Sequence, residues 1–200
     1  MNFAVLASGN GSNLQAIIDA KKRGKIKGEL KLVISDKADA LALVRARKAG
    51  VKAVLFVDPK GFPSREDFDD ELVAILRKEK VRLVVLAGFM RILSPVFIKA
   101  FRHKIINVHP ALLPAFKGSH AVKDALAYGV KVTGVTVHFV DEQVDHGAII
   151  AQAPVEIKPK DTVASLSTRI HKVEHVLYPK VVDLLLRGKL KVAGRIVKGK

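Results

Sequence analysis

The run Ile105-Ile106-Asn107-Val108-His109-Pro110 sets a carboxamide and an imidazole two residues apart in an apolar stretch. Side chains alternate along a strand, so Asn107 and His109 project from the same face. Pro110 and Pro114 lack a ladder donor and bias the residue before each away from the helical region. The strand is therefore expected to end near His109, with the chain turning out of the sheet. A positioned histidine serves general acid–base chemistry, worth roughly 10²- to 10⁴-fold. An amide N–H can hold a developing oxyanion, and loss of such a donor costs about 10²- to 10³-fold. Downstream, Asp141-Glu142-Gln143-Val144-Asp145-His146-Gly147 supplies carboxylates. A carboxylate against His109 favours the charged ring and is expected to raise its pKa.

Two further stretches carry chemical potential. Ser8-Gly9-Asn10-Gly11-Ser12-Asn13 lies between an apolar strand and a helix start. Free N–H groups there, aided by the helix dipole, suit a phosphate group. A dinucleotide fingerprint needs a third glycine where Leu14 stands, and the Gly-Lys-Ser/Thr of a P-loop is missing, so the loop supports one phosphate rather than a nucleotide class. A tight turn that binds nothing is the plain alternative. His171-Lys172-Val173-Glu174-His175 matches the H-x-x-E-H zinc pattern, but a third acidic ligand well downstream is wanting, so no metal site is expected. His171, Glu174, His175 and Tyr178 instead form a polar stripe on a helix, and His103 and His138 are read as structural or surface residues.

The elements that must position these groups alternate. Strands are expected over 3–8, 30–35, 51–57, 81–87 and 105–109, with helices between them, one of them over 38–49. Asp36 reads as a turn or cap residue. Ser64-Arg65-Glu66-Asp67 and Ser94-Pro95 read as helix starts. This order predicts an α/β fold with a doubly wound, mostly parallel, Rossmann-like sheet. Residues 132–140 and 149–157 are strands joined by too short a connection for a crossover, so an antiparallel hairpin should follow the fifth strand. Val163, Leu166, Ile170, Val173, Leu177 and Val181 mark one long C-terminal helix, kinked at Pro179 and ended by Gly188.

The chain has 200 residues, 49% of them hydrophobic, which suits one domain: a phosphate-binding half (1–100), a catalytic half (101–188) and a basic tail (189–200). There is no cysteine, which excludes disulfides and cysteine chemistry and fits a reducing cytoplasm. The N-terminus lacks the basic region of a signal peptide, and no run is long enough to span a membrane. Net charge is +16, with 35 basic against 19 acidic side chains. Many lysines sit at helix ends, and no aromatic residues interleave with them to stack bases. No specific nucleic-acid partner is expected. The last seventeen residues, with six basic and no acidic side chains, are the best candidate for weak polyanion contact.

Taken together, Ser8 to Leu14, Ala87-Gly88-Phe89-Met90-Arg91-Ile92-Leu93, Asn107-Val108-His109-Pro110 with Leu112-Leu113-Pro114, and Thr136 to Val140 leading to Asp145-x-Gly147 carry a resemblance. From Phe3 to about Tyr178 the chain resembles the phosphoribosylglycinamide formyltransferases, folate-dependent enzymes of purine synthesis. It departs from their commonest pattern at His146 and Ala148, and the basic tail is not one of their hallmarks. The resemblance implies Asn107, His109 and Asp145 as the catalytic trio. It implies Gly11, Ser12, Asn13 and Glu174 at the ribonucleotide. Arg65, Met90, Arg91, Ile92, Leu93, Asn107, Asp141 and Asp145 match folate-binding positions. It further implies 10-formyltetrahydrofolate as co-substrate, direct transfer with Asn107 and protonated His109 at the oxyanion, no metal, and a cytoplasmic monomer or homodimer. Methionyl-tRNA formyltransferases and formyltetrahydrofolate hydrolases share the Asn-x-His-Pro core, but carry an extra C-terminal and N-terminal domain respectively. A flavodoxin-like anion-binding module is the non-enzymatic alternative.

Overall fold

A computed structural model describes residues 1–199. Strands β1 (Asn2–Leu6), β2 (Glu29–Ser35), β3 (Ala53–Phe56), β4 (Leu83–Leu86), β5 (Ile105–His109), β6 (Val132–Phe139) and β7 (Ile149–Glu156) form one sheet in the order β3-β2-β1-β4-β5-β6-β7. Pairing is parallel from β3 through β5 and antiparallel for β5–β6 and β6–β7. The doubly wound sheet and the hairpin that extends it are as expected.

Both faces of the sheet are covered. Along β1, Phe3 and Val5 enter one core with Leu14 and Ile17 of α1 (Ser12–Lys22), Leu43 of α2 (Leu41–Lys48) and Leu166 and Ile170 of α6 (Val163–Leu186). Ala4 and Leu6 enter the other with Phe68 and Leu72 of α3 (Arg65–Lys78) and Phe97 of α4 (Pro95–Ala100). Period-2 alternation with apolar residues in both phases is what a strand buried on both sides requires. A short α5 (Ala121–Tyr128) precedes β6.

The expected helix starts are built as read: Ser64 accepts from the Asp67 N–H, and Ser94 from the Phe97 N–H. Helix α2 begins later than the residues alone indicate. Residues 37–40 form a turn instead, and the Ala42 N–H is tied to the Gly9 carbonyl at 3.1 Å. Helix α6 runs on through Pro179 as one 24-residue helix. After it, Gly188 and Lys189 donate to Leu185 and Leu184 in the paired bonds of a Schellman stop. The segment read as a basic tail is not loose chain: β8 (Leu190–Ala193) and β9 (Ile196–Gly199) form a separate antiparallel hairpin.

The strand order reverses between β1 and β4. In such sheets the crevice outside the carboxyl ends of the strands, at this reversal, is where ligands bind. The Gly9–Asn13 loop leaves β1 there, the Gly88–Leu93 loop leaves β4, and His109 ends β5.

Candidate active site

His109, 3% exposed, is held at both ring nitrogens. Nδ1 lies 3.2 Å from Asp145 Oδ2, and Nε2 lies 2.7 Å from the Phe116 carbonyl oxygen. Both partners only accept, so the imidazolium satisfies the two contacts fully. Each partner is a non-glycine residue in left-handed backbone geometry, Asp145 at φ 47 and Phe116 at φ 51. Such conformations cost on the order of 1–3 kcal/mol and persist where surrounding contacts over-determine them. Here they turn a carboxylate and a carbonyl onto opposite ends of one ring. Asp145 also accepts from the Gly118 N–H at 2.9 Å.

The electrostatics correct the expectation for His109. Its pKa lies below the ordinary value, because burial outweighs the upward pull of Asp145 and of the Phe116 carbonyl, with His138 adding to the fall. A neighbouring carboxylate alone would raise it; the desolvation of the ring, which depends on the fold, lowers it more. For Asp145, burial pushes upward, but hydrogen bonds from His138 and from the Gly118 N–H, with the His109 charge, hold it below the ordinary carboxylate value.

His138 is the residue that sequence reasoning misplaced. It is 2% exposed, and its Nε2 lies 3.5 Å from Asp145 Oδ1 and 3.4 Å from the Asn107 amide nitrogen. It faces Asn107 because those two residues are directly paired across β5 and β6, just as Thr136 pairs with His109. The signal was present as polar Thr136 and His138 alternating with apolar Val135, Val137 and Phe139. Its meaning depended on knowing that this strand lies against β5. Thr136 also shapes the turn after Pro110: its hydroxyl donates to the Ala111 carbonyl at 2.7 Å and accepts from the Leu113 N–H at 3.0 Å.

A cleft of about 310 Å³ opens above this cluster, walled by Gly88–Leu93 on one side and Val140–Asp145 on the other, with Asn107 and His109 in its lining. Met90 and Ile92 present exposed apolar surface to it, at 72% and 60%. Leu93 is buried, and Arg91 stacks on the Phe68 ring at 4.7 Å. Asp141 accepts from the Gln143 N–H at 3.1 Å and meets His146 Nδ1 at 2.8 Å. Arg65 does not line this cleft; it pairs with Glu66 at 3.0 Å at the start of α3.

The anion loop borders the cleft, since Ser8 Oγ accepts from the Met90 N–H at 2.8 Å. Gly11 caps α1 at φ 72 without any side-chain cap. A Cβ there would meet Ala42 at 2.8 Å, so the position is closed to a side chain, and the first N–H groups of α1 remain free for an anion. Asn13 Nδ2 donates to Glu174 Oε2 at 2.7 Å, joining the loop to α6. Glu174 is 4% exposed, and burial raises its pKa, partly countered by Asn13 and by His171. The expected stripe on α6 thus divides: Glu174 faces the loop, His171 and His175 stack at 6.3 Å, and Tyr178 is buried with its hydroxyl 2.8 Å and 3.1 Å from the Leu86 and Ile106 carbonyls.

The Gly9–Asn13 loop at the sheet reversal and the Asn107, His109 and Asp145 cluster at the end of β5 thus border one cleft. The formyl transferase family model matches residues 1–182. The chain belongs to this family and, within it, to the phosphoribosylglycinamide formyltransferases. The Escherichia coli phosphoribosylglycinamide formyltransferase is 45% identical over 192 residues, 96% of this chain and 90% of that protein. The trifunctional purine biosynthetic protein adenosine-3 of Drosophila pseudoobscura is 48% identical over 197 residues, 98% of this chain; the chain spans only 14% of that protein's length. The crystal structure of glycinamide ribonucleotide transformylase 1 from Symbiobacterium toebii superposes with a TM-score of 0.97 at 48% identity, covering 100% of this chain and 93% of that one.

Proposed function

We propose that this chain transfers the formyl group of 10-formyltetrahydrofolate to the amine of 5'-phosphoribosylglycinamide, giving N-formyl-phosphoribosylglycinamide and tetrahydrofolate in de novo purine synthesis. The observation that carries the reading is His109, pinned between Asp145 and the Phe116 carbonyl with Asn107 alongside, on the floor of a cleft that adjoins the anion loop. The names and high coverage of the bacterial relatives support the choice of substrates.

In this mechanism the ribonucleotide phosphate rests on the N–H groups of Gly11, Ser12 and Asn13, with Glu174 bracing the loop. The folate lies along Met90, Arg91, Ile92 and Leu93 against Asp141 and Asp145; Arg65, outside the cleft, takes no part in this placement. The amine nitrogen attacks the formyl carbon, and the carbonyl electron pair moves to oxygen. Asn107 donates to that oxyanion, and His109 joins it by turning its Nε2–H from the Phe116 carbonyl to the substrate, while Asp145 keeps its hold on Nδ1. The C–N10 bond then breaks as the oxyanion reforms the carbonyl. N10 takes a proton from His109, and the amine's surplus proton returns to the ring directly or through water. A histidine held below its ordinary pKa yields its proton readily. Holding two bound substrates in register supplies much of the rate. The N-terminal half serves the phosphate and residues 101–188 serve the formyl transfer. We assign the reaction to the cytoplasm and the enzyme to a monomer or homodimer.

The test offers purified protein 10-formyltetrahydrofolate with three acceptors: the ribonucleotide, methionyl initiator tRNA, and water. Tetrahydrofolate release with the ribonucleotide alone is expected. Release only with tRNA, or equally fast without an acceptor, overturns the assignment.

A further inference from the structure

Two of the three sequence features that depart from the family pattern, His146 and the basic C-terminal segment, meet in the fold. β8 and β9 are joined by Gly194-Arg195, with Gly194 at φ 58 in the tight turn. One face of this hairpin, through Val192 and Val197, packs on the main core. From its tip Arg195 reaches the β6–β7 loop. Its Nη2 donates to the His146 carbonyl at 2.7 Å, and its Nη1 lies 3.1 Å from His146 Nε2. A guanidinium only donates, so Nε2 accepts. Nδ1 then carries the ring proton and donates to Asp141 Oδ2 at 2.8 Å. One tautomer of the neutral ring satisfies both contacts.

The chain Arg195–His146–Asp141 thus ties together the two ends of the segment that contains Asp145. Beyond it, Gly147 is packed so closely that a Cβ would stand 1.9 Å from the Phe139 carbonyl oxygen, which fixes the exit of the loop. Between these anchors Asp145 holds a left-handed backbone that its own preferences disfavour. An isolated exposed arginine contact is worth little. This one is a two-pronged grip on a backbone carbonyl and a ring, and only the planar fork of arginine provides it.

We propose that Arg195 is a positioning residue for formyl transfer. Through His146 it holds the Asp141–Gly147 loop in the form that sets Asp145 against His109 and Asp141 at the folate cleft. The inference rests on the formyl-transfer reading above.

The test compares full-length wild type, Arg195→Ala, Arg195→Lys, His146→Ala and the Arg195→Ala/His146→Ala double variant. Steady-state kinetics are read with each substrate varied, alongside hydrogen exchange of the residue 141–147 amides. Arg195→Ala is expected to raise the folate KM about 3- to 10-fold, the scale of partly exposed hydrogen bonds to a charged group. The ribonucleotide KM should stay unchanged while loop exchange quickens. Arg195→Lys should show the same direction of change, because the fork is lost. In the His146→Ala background, which keeps the backbone carbonyl and loses the ring, Arg195→Ala should have a smaller effect than in wild type. Unchanged folate KM and exchange in Arg195→Ala, or an undiminished effect without His146, overturns the proposal. Wild type that formylates no ribonucleotide sinks the functional reading instead; loop exchange needs no turnover and still reads the latch.

Discussion

His109 gathers its neighbours from four separate places in the chain: Asn107 on its own strand, Phe116 from the following turn, His138 across the ladder, and Asp145 from the hairpin loop. On the proposed mechanism, replacing His109 with Ala removes both a donor to the oxyanion and the proton source for N10. Turnover should fall about 10²- to 10⁴-fold. The ribonucleotide Kd should hold, because the anion loop touches none of these groups. Rapid-quench turnover with equilibrium binding of the ribonucleotide checks both halves, and a variant turning over normally would remove His109 from the mechanism. The pairing of Asn107 with His109 was legible from strand alternation and the proline that follows. The protonation balance was not, since it depends on how deeply the ring is buried.

At the scale of elements, the carboxyl end of β4 and the start of β5 are tied together by a helix far away in the chain. Tyr178 of α6 brings its hydroxyl to the Leu86 and Ile106 carbonyls, next to the residues that open the cleft. Tyr178→Phe keeps the ring and strands those contacts, so stability should drop by about 1–3 kcal/mol. Urea unfolding should show a lower midpoint at unchanged slope; an unaltered midpoint would mean that the hydroxyl contributes nothing net. The 3–4 spacing of apolar residues announced α6, and hydroxyl capping announced α3 and α4. Periodicity does not reveal which polar residue on α6 faces inward, because Glu174 and Tyr178 lie one turn apart with different partners.

For the molecule as a whole, stability should carry opposite pH signatures from two buried groups. His109 has a folded pKa below 6.5, so its contribution is present above 6.5 and is lost as pH falls through the folded value. Glu174 has a folded pKa above 4.5, so its contribution is present below 4.5 and is lost as pH rises through the folded value. Measured by urea unfolding across pH, the stability of wild type relative to His109→Asn should decline on acidification below 6.5. Relative to Glu174→Gln it should decline on raising the pH above 4.5. Parallel curves for wild type and either variant would show that the corresponding group does not titrate differently on folding. The same two residues span the molecule: Glu174 braces the Gly9–Asn13 loop from the last long helix, while His109 is completed by the β6–β7 loop.

The order of strands and helices, the hairpin, the anion loop and the Asn-x-His-Pro turn follow from local rules. Alternation, proline geometry, glycine turns and capping act over a few residues and are written directly in the chain. The place of His138 in the site, the left-handed turns at Phe116 and Asp145, the depressed pKa of His109, and the hairpin that grips His146 come from tertiary structure. Each arises where segments distant in sequence meet, and ladder register, desolvation and docking of one element on another are properties of those meetings rather than of any residue alone.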